Sequence, residues 1–168
     1  MPTYLCKPWY TKFNLQKNTC HLFKGFKGCC TSLGKKYTYN VSGTIPGVGN
    51  VVRPVVRYHF NDWPDGGDLP LDKFNEVISI AESLGGEPTL VHCRAGVGRT
   101  GCVITALLLK EKILKGTITT ENFFEKLVEL VLQLREKRGP SFIQTERQWN
   151  LVCNYGLTLL DERERAKK

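Results

Sequence analysis

No apolar run in this 168-residue chain is long enough to cross a bilayer, and its start, Met1-Pro2-Thr3-Tyr4, lacks a signal-peptide pattern. Internal repeats and low-complexity tracts are also missing, which sets aside solenoid and linker architectures. The seven cysteines (Cys6, Cys20, Cys29, Cys30, Cys93, Cys102, Cys153) form neither an even set nor a zinc spacing. A disulfide framework and a metal cluster are therefore not expected, and no cofactor is called for. Reduced thiols point to a cytoplasmic setting, with export into a host cell left open. His21 and His59 stand in no motif and read as structural. What remains is ordinary: 41% hydrophobic and 24% charged residues, enough chain for one domain, residues 1–168, with a real core. The net charge of +8 suits an anionic substrate, but suits nucleic acid or an acidic membrane equally well. Lys24, Lys27, Lys35 and Lys36 read most simply as a solvated, loop-rich surface.

The first sixty residues predict short strands over Thr19–Phe23, Lys36–Val41 and Val51–Phe60, with Pro54 kinking the last or placing it at an edge. Helical spacing of Phe74, Val77, Ile78, Ala81 and Leu84 predicts a helix over 70–84, ended by Gly85-Gly86. A buried strand is expected over Thr89–His92. Helices follow over about 99–114, 120–137 and 145–163, the second with Phe124, Leu127, Val128, Val131 and Leu134 on one face. The expected architecture is an α/β single domain: a twisted mixed sheet flanked by helices, with an anion-binding loop between a central strand and a helix.

That loop is His92-Cys93-Arg94-Ala95-Gly96-Val97-Gly98-Arg99-Thr100-Gly101. Strand, tight loop and helix N-terminus make a cradle in which backbone N–H groups and the helix dipole face one pocket. Gly96 and Gly98 are expected to take backbone angles that a β-carbon resists. Arg99 can grip two phosphate oxygens at once. Helix termini and cations lower thiol pKa values to roughly 3.5–7.5, so Cys93 should ionise readily. A phosphate or similar oxyanion above a thiolate is the chemistry this loop suits. His92 is expected to fix the loop through hydrogen bonds and to keep Cys93 ionised, Thr100 to donate its hydroxyl to the sulfur, and Arg94 to lie on the rim. Ala95, Gly96, Val97 and Gly98 offer their backbone amides.

Two further runs supply what the loop lacks. Trp63-Pro64-Asp65-Gly66-Gly67 is a strong turn signal, and an acid on such a loop can protonate a departing oxygen. Gln144-Thr145-Glu146-Arg147-Gln148-Trp149, after Leu134-Arg135-Glu136-Lys137-Arg138, reads as a polar helix start. Its two amides can also hold a water molecule.

His-Cys-x5-Arg-Thr is the signature of the protein tyrosine phosphatases, and the full loop resembles the tyrosine-specific, or classical, branch. Trp63-Pro64-Asp65 lies 28 residues before Cys93 (93 − 65) and resembles that family's acid loop. The glutamine run resembles its water-holding motif, in the family's order. The resemblance implies Cys93 as nucleophile, Asp65 as general acid, Trp63 as anchoring hinge, and Gln144 with Gln148 as water-positioners. It implies a metal-independent enzyme that hydrolyses phosphotyrosine in proteins through a phosphocysteine, and a monomer. The likeness is close over roughly 50–160 and weak before it. Trp149 stands where the family usually has Tyr, and Gly66 where a larger side chain is common. No counterpart was found near Met1–Tyr10 to the loop that deepens the family's cleft. These departures bear on tyrosine selectivity, so a dual-specificity or phosphoinositide phosphatase stays open. An RNA 5′-phosphatase fits only the charge. A phosphopeptide-binding pseudophosphatase is the non-enzyme alternative.

Overall fold

The computed structural model describes residues 13–24, 32–45, 47–85 and 88–167. They belong to two compact units, Met1–Asp62 and Trp63–Lys168. Cys6, Cys29, Cys30, Lys27 and Gly86 lie outside the described residues, as do the side chains of Cys20, His21 and Lys24.

In the first unit β1 (Phe13–Lys24), β2 (Ser32–Ile45) and β3 (Gly49–His59) form a sheet in the order β1-β2-β3. Both pairings are antiparallel. The expected strands Thr19–Phe23 and Lys36–Val41 lie inside β1 and β2, and Val51–Phe60 matches β3 except that the strand ends one residue earlier, at His59. β-Branched and aromatic residues fill β2 and β3, as a pleated surface favours. Register partners also meet as cation–π pairs. Lys36 Nζ lies 5.4 Å from the Tyr58 ring centre, and Arg57 Cζ lies 6.0 Å from that of Tyr37. Pro54 lies on β3, an edge strand among the described residues, and pairs with Asn40 of β2; a missing N–H is tolerated at an edge.

The second unit carries α1 (Leu71–Ser83), α2 (Arg99–Leu114), α3 (Phe123–Arg138) and α4 (Glu146–Arg165). Each falls within three residues of its expected bounds. Helix α2 is central: Cys102, Ala106 and Leu109 are wholly buried. A helix apolar on most sides must be enclosed, and its neighbours supply Phe74, Ile78, Phe123, Leu127, Val152 and Leu160. Close approach is set at Gly156 on α4. A Cβ there would come within 2.8 Å of Phe123 Cζ and 2.6 Å of Leu109 Cδ2. At its far end, α3 closes with Arg135, Lys137 and Arg138 in the last turn, where cations favour the helix dipole.

Two local expectations change. The buried face of α3 is Phe123, Leu127, Leu130 and Val131, while Phe124 and Val128 are exposed. Apolar residues line two adjacent stripes of this helix, and periodicity alone cannot choose between them. The gap at Gly156 accepts the Phe123 ring and so chooses. The segment Thr89–His92 is irregular and unladdered, with Leu90 84% exposed. A strand needs a partner for its backbone groups, and the described part of this unit contains no strand to provide one.

Packing at Gly156 is directly testable. Gly156→Val should lower stability by about 1–3 kcal/mol, the usual cost of forcing methyl groups into a filled core. Urea unfolding of the two proteins, compared at equal m-values, measures the difference.

Candidate active site

The second unit brings the three sequence motifs together around the start of α2. The loop feeds directly into that helix: Val97 O accepts from Gly101 N at 3.2 Å and Gly98 O from Cys102 N at 3.0 Å. Gly96 takes φ +75°, the left-handed conformation expected of it. Gly98 does not, having φ −77°. Its reason is space. A Cβ at Gly98 would lie 2.9 Å from Gln148 Nε2, 3.0 Å from Gln148 Oε1, and closer still to Gln144 Oε1. The glutamine pair therefore packs against the Cys93–Arg99 loop.

Cys93 is half-buried. Burial pushes its thiol up, yet the Thr100 hydroxyl and the backbone N–H groups of Thr100, Gly96 and Val97 outweigh that, bringing it down to about 7. Gly96 N donates to the sulfur at 3.3 Å. The Thr100 hydroxyl is buried and makes no hydrogen bond of full geometry. It is nonetheless the largest of the influences that lower the sulfur's pKa, ahead of the backbone N–H groups of Thr100, Gly96 and Val97. The other two described free cysteines behave oppositely. Burial raises Cys102 to about 12 and Cys153 to about 11. Desolvation without donors disfavours a thiolate.

Arg99 turns toward the Trp63–Gly67 segment. One terminal nitrogen donates to Trp63 O at 2.7 Å, and the other meets Asp65 Oδ1 at 2.9 Å. Its Nε is buried without a partner. The segment is indeed a turn, closed by Gly67 N to Pro64 O at 3.2 Å. Trp63 anchors it: the indole is buried, donates to Gly67 O at 3.0 Å, and stacks edge-on against Phe74 at 5.6 Å. Phe74 in turn meets Tyr155 at 5.4 Å, tying the turn to α1 and α4. Turn and carboxylate are thus one feature, with Asp65 largely exposed.

Gln148 is wholly buried. Its Oε1 accepts from Gln144 N at 2.9 Å, and its Nε2 has no partner among the described residues. Leaving such a donor unmet costs about 1–3 kcal/mol, which marks a position kept for something polar. His92 departs from expectation: it is exposed, and its Nδ1 donates to Cys93 O at 3.2 Å. It contacts the loop backbone and is not among the groups acting on the sulfur. Arg94 and Ala95 are exposed on the rim.

Several supports were not visible in the sequence. Ile143 takes φ +59°, and its N–H donates to Val97 O at 3.1 Å. Arg135 holds this turn through Phe142 O at 3.0 Å and Ile143 O at 3.3 Å. Arg138 reaches Gly96 O at 3.4 Å. Basic residues ahead of Gly139 were the available signal, since last-turn cations commonly serve nearby carbonyls. Thr145 Oγ1 donates to Gly66 O at 2.9 Å.

A thiol of lowered pKa and an arginine at the start of α2 thus meet a carboxylate from the Trp63 turn and two amides from the start of α4. The profile of the protein-tyrosine phosphatase family matches residues 9–158. This chain belongs to that family. It is 31% identical over 130 residues to tyrosine-protein phosphatase corkscrew of Drosophila virilis, covering 69% of this chain and 16% of that protein. It is 31% identical to mouse tyrosine-protein phosphatase non-receptor type 18, covering 73% and 28%. The solved structure of Trypanosoma brucei protein tyrosine phosphatase TbPTP1 superposes with TM-score 0.61 at 26% identity, covering 75% of this chain and 43% of that one. PTPN18 in complex with HER2-pY1196 phosphopeptides shares the fold, with TM-score 0.67 at 23% identity, 88% and 46% covered. The chain therefore spans under a third of these curated relatives and less than half of either solved chain. The phosphatase α/β fold class is as expected, although every ladder among the described strands is antiparallel.

The Cys93 environment predicts a titration. Alkylation of the Cys93 peptide by iodoacetamide, followed by mass spectrometry, should rise with a midpoint near pH 7. Thr100→Val should move that midpoint upward. Folding favours the ionised sulfur, so its stabilising contribution is complete above the unfolded thiol's pKa and fades as pH falls through about 7.

Proposed function

We propose that residues 1–168 form one catalytic domain that hydrolyses phosphotyrosine in proteins through a phosphocysteine intermediate. The observation that carries this reading is the convergence on Cys93. Three backbone N–H groups and a hydroxyl bring its thiol to about 7, while Arg99 and Asp65 meet at 2.9 Å in the same unit. The family match over 9–158 crosses the boundary between the two compact units and supports treating them as one domain. PTPN18 is described with phosphotyrosine peptides, which supports the same substrate class here.

In this mechanism Cys93 Sγ attacks phosphorus and the bond from phosphorus to the phenolic oxygen breaks. Asp65 gives its proton to that oxygen. Arg99 and the loop amides stabilise the trigonal phosphoryl group, and the unpartnered Arg99 Nε is a donor free to meet it. Water held by Gln144 and Gln148 then attacks phosphorus. Asp65, now a carboxylate, takes the water's proton, and phosphate departs. The unmatched Gln148 Nε2 suits that water. Thr100 stabilises the returning thiolate. No step calls for a metal or cofactor, and the thiolate requires a reducing compartment such as the cytoplasm.

The test is kinetic. Cys93→Ser should abolish turnover, and Arg99→Lys should be severely impaired because an ammonium cannot make the two-pronged contact. Asp65→Ala should slow tyrosyl phosphate hydrolysis by about 10²–10⁴-fold, with a much smaller loss on an aryl phosphate whose phenol is strongly acidic. Wild-type kcat/KM should fall as pH drops and Cys93 gains its proton. Turnover of Cys93→Ser within tenfold of wild type would overturn the assignment, as would activation by added divalent metal.

A further inference from the structure

We propose that Thr145 is a positioning residue that locks the Asp65 turn to the glutamine turn. This rests on reading Asp65 as the general acid. The Thr145 hydroxyl has one proton and two acceptor sites, and the structure uses both kinds. It donates to Gly66 O at 2.9 Å, the carbonyl one residue after Asp65. Its oxygen accepts from Gln148 N at 3.3 Å, capping α4. One hydroxyl therefore joins the residue beside the acid to the start of the helix that holds the water-binding amides.

The backbone at Gly66 is shaped for this. Its φ of +69° is a conformation that side chains resist, and a Cβ there would still clear Thr145 Cγ2 at 3.7 Å. The constraint is thus on the carbonyl's direction, not on space. Trp63 anchors the start of the turn against Phe74, whereas Arg99 and Thr145 hold its polar groups by hydrogen bonds from other elements. Arg99 must serve the phosphoryl group during turnover, so Thr145 is the hydrogen-bonded tie that stays on the far side of Asp65. With the latch intact, Asp65 is held where its proton is needed in the first step and accepted in the second.

Three variants separate this role from simple capping. Thr145→Ser keeps both bonds. Thr145→Val loses both. Thr145→Asp keeps an acceptor for Gln148 N, since Asp is a strong N-cap, but has no proton for Gly66 O. Steady-state kcat and KM are measured on tyrosyl phosphate and on an aryl phosphate with a strongly acidic phenol, with Asp65→Ala alongside.

Displacing a catalytic group by about an ångström costs up to about 10²-fold, so Val and Asp should each lose about 10–100-fold in kcat on tyrosyl phosphate. On the acidic phenol the loss should be several-fold smaller, and Ser should restore both substrates. In the Asp65→Ala background, Thr145→Val should add no further leaving-group dependence. Equal losses on both substrates for Thr145→Asp would overturn the latch, leaving a charge or folding effect. Should Val fail to fold, Asp against Ser decides by the same comparison. If Asp65→Ala itself shows no leaving-group dependence, the acid reading fails. If it does and Thr145→Asp does not, only the latch fails.

Discussion

Two glutamine side chains occupy the space that a Cβ at position 98 would need, and the organisation of the site follows from that exclusion. Gly98 is tolerated at φ −77°, so its missing side chain serves packing instead of backbone freedom. Because Gln148 is wholly buried against it, loop and glutamine turn form one packed body. Val97 O then serves two donors at once, Gly101 N within the helix and Ile143 N from the glutamine turn. Arg138 adds a third tie through Gly96 O. Donors fixed in this way cost no reorganisation when charge develops, which is where electrostatic catalysis gains most.

Charge balance around the sulfur is a contest in which geometry decides the sign. Burial acts on Cys93, Cys102 and Cys153 alike, raising each thiol. Only Cys93 has backbone N–H groups converging on it, and only its value falls, to about 7. Cys102 is nine residues further along the same helix-starting segment and stands near 12. Position at the helix entrance makes one thiol easily ionised and leaves the other a core residue. Arg99 illustrates the same economy. Its terminal nitrogens rest on Trp63 O and Asp65, so its positive charge is compensated, while Nε has no partner among the described residues.

Helices α1 and α3 were legible in the sequence because their apolar spacing repeats over three or more turns, and the loop because Cys93 and Arg99 flank so many small residues. The acid turn and glutamine run were legible as a set, each unconvincing alone. Other features depended on tertiary facts. The face of α3 is chosen by the vacancy at Gly156, which periodicity in α3 itself cannot reveal. His92 faces outward because its ring bonds the Cys93 carbonyl, a local contact that residue type does not specify. Ile143 at φ +59° breaks the expectation for a β-branched residue. It is held there by Arg135 on the flanking carbonyls. Thr145 read simply as part of a helix start, and its second bond, to Gly66, joins residues 79 apart in sequence.

The segment before Cys93 and the segment after it carry different burdens. Thr89–His92 forms no strand among the described residues, and Leu90 stands open to solvent. Yet every group lowering the Cys93 thiol comes from Gly96, Val97 or Thr100, all after the cysteine. The tie from Ile143 N to Val97 O likewise reaches that later half. A strand before the loop can aim the cysteine, but its acidity is set by the turn and helix that follow. The shape of the cradle is therefore secured from α2, α3 and α4.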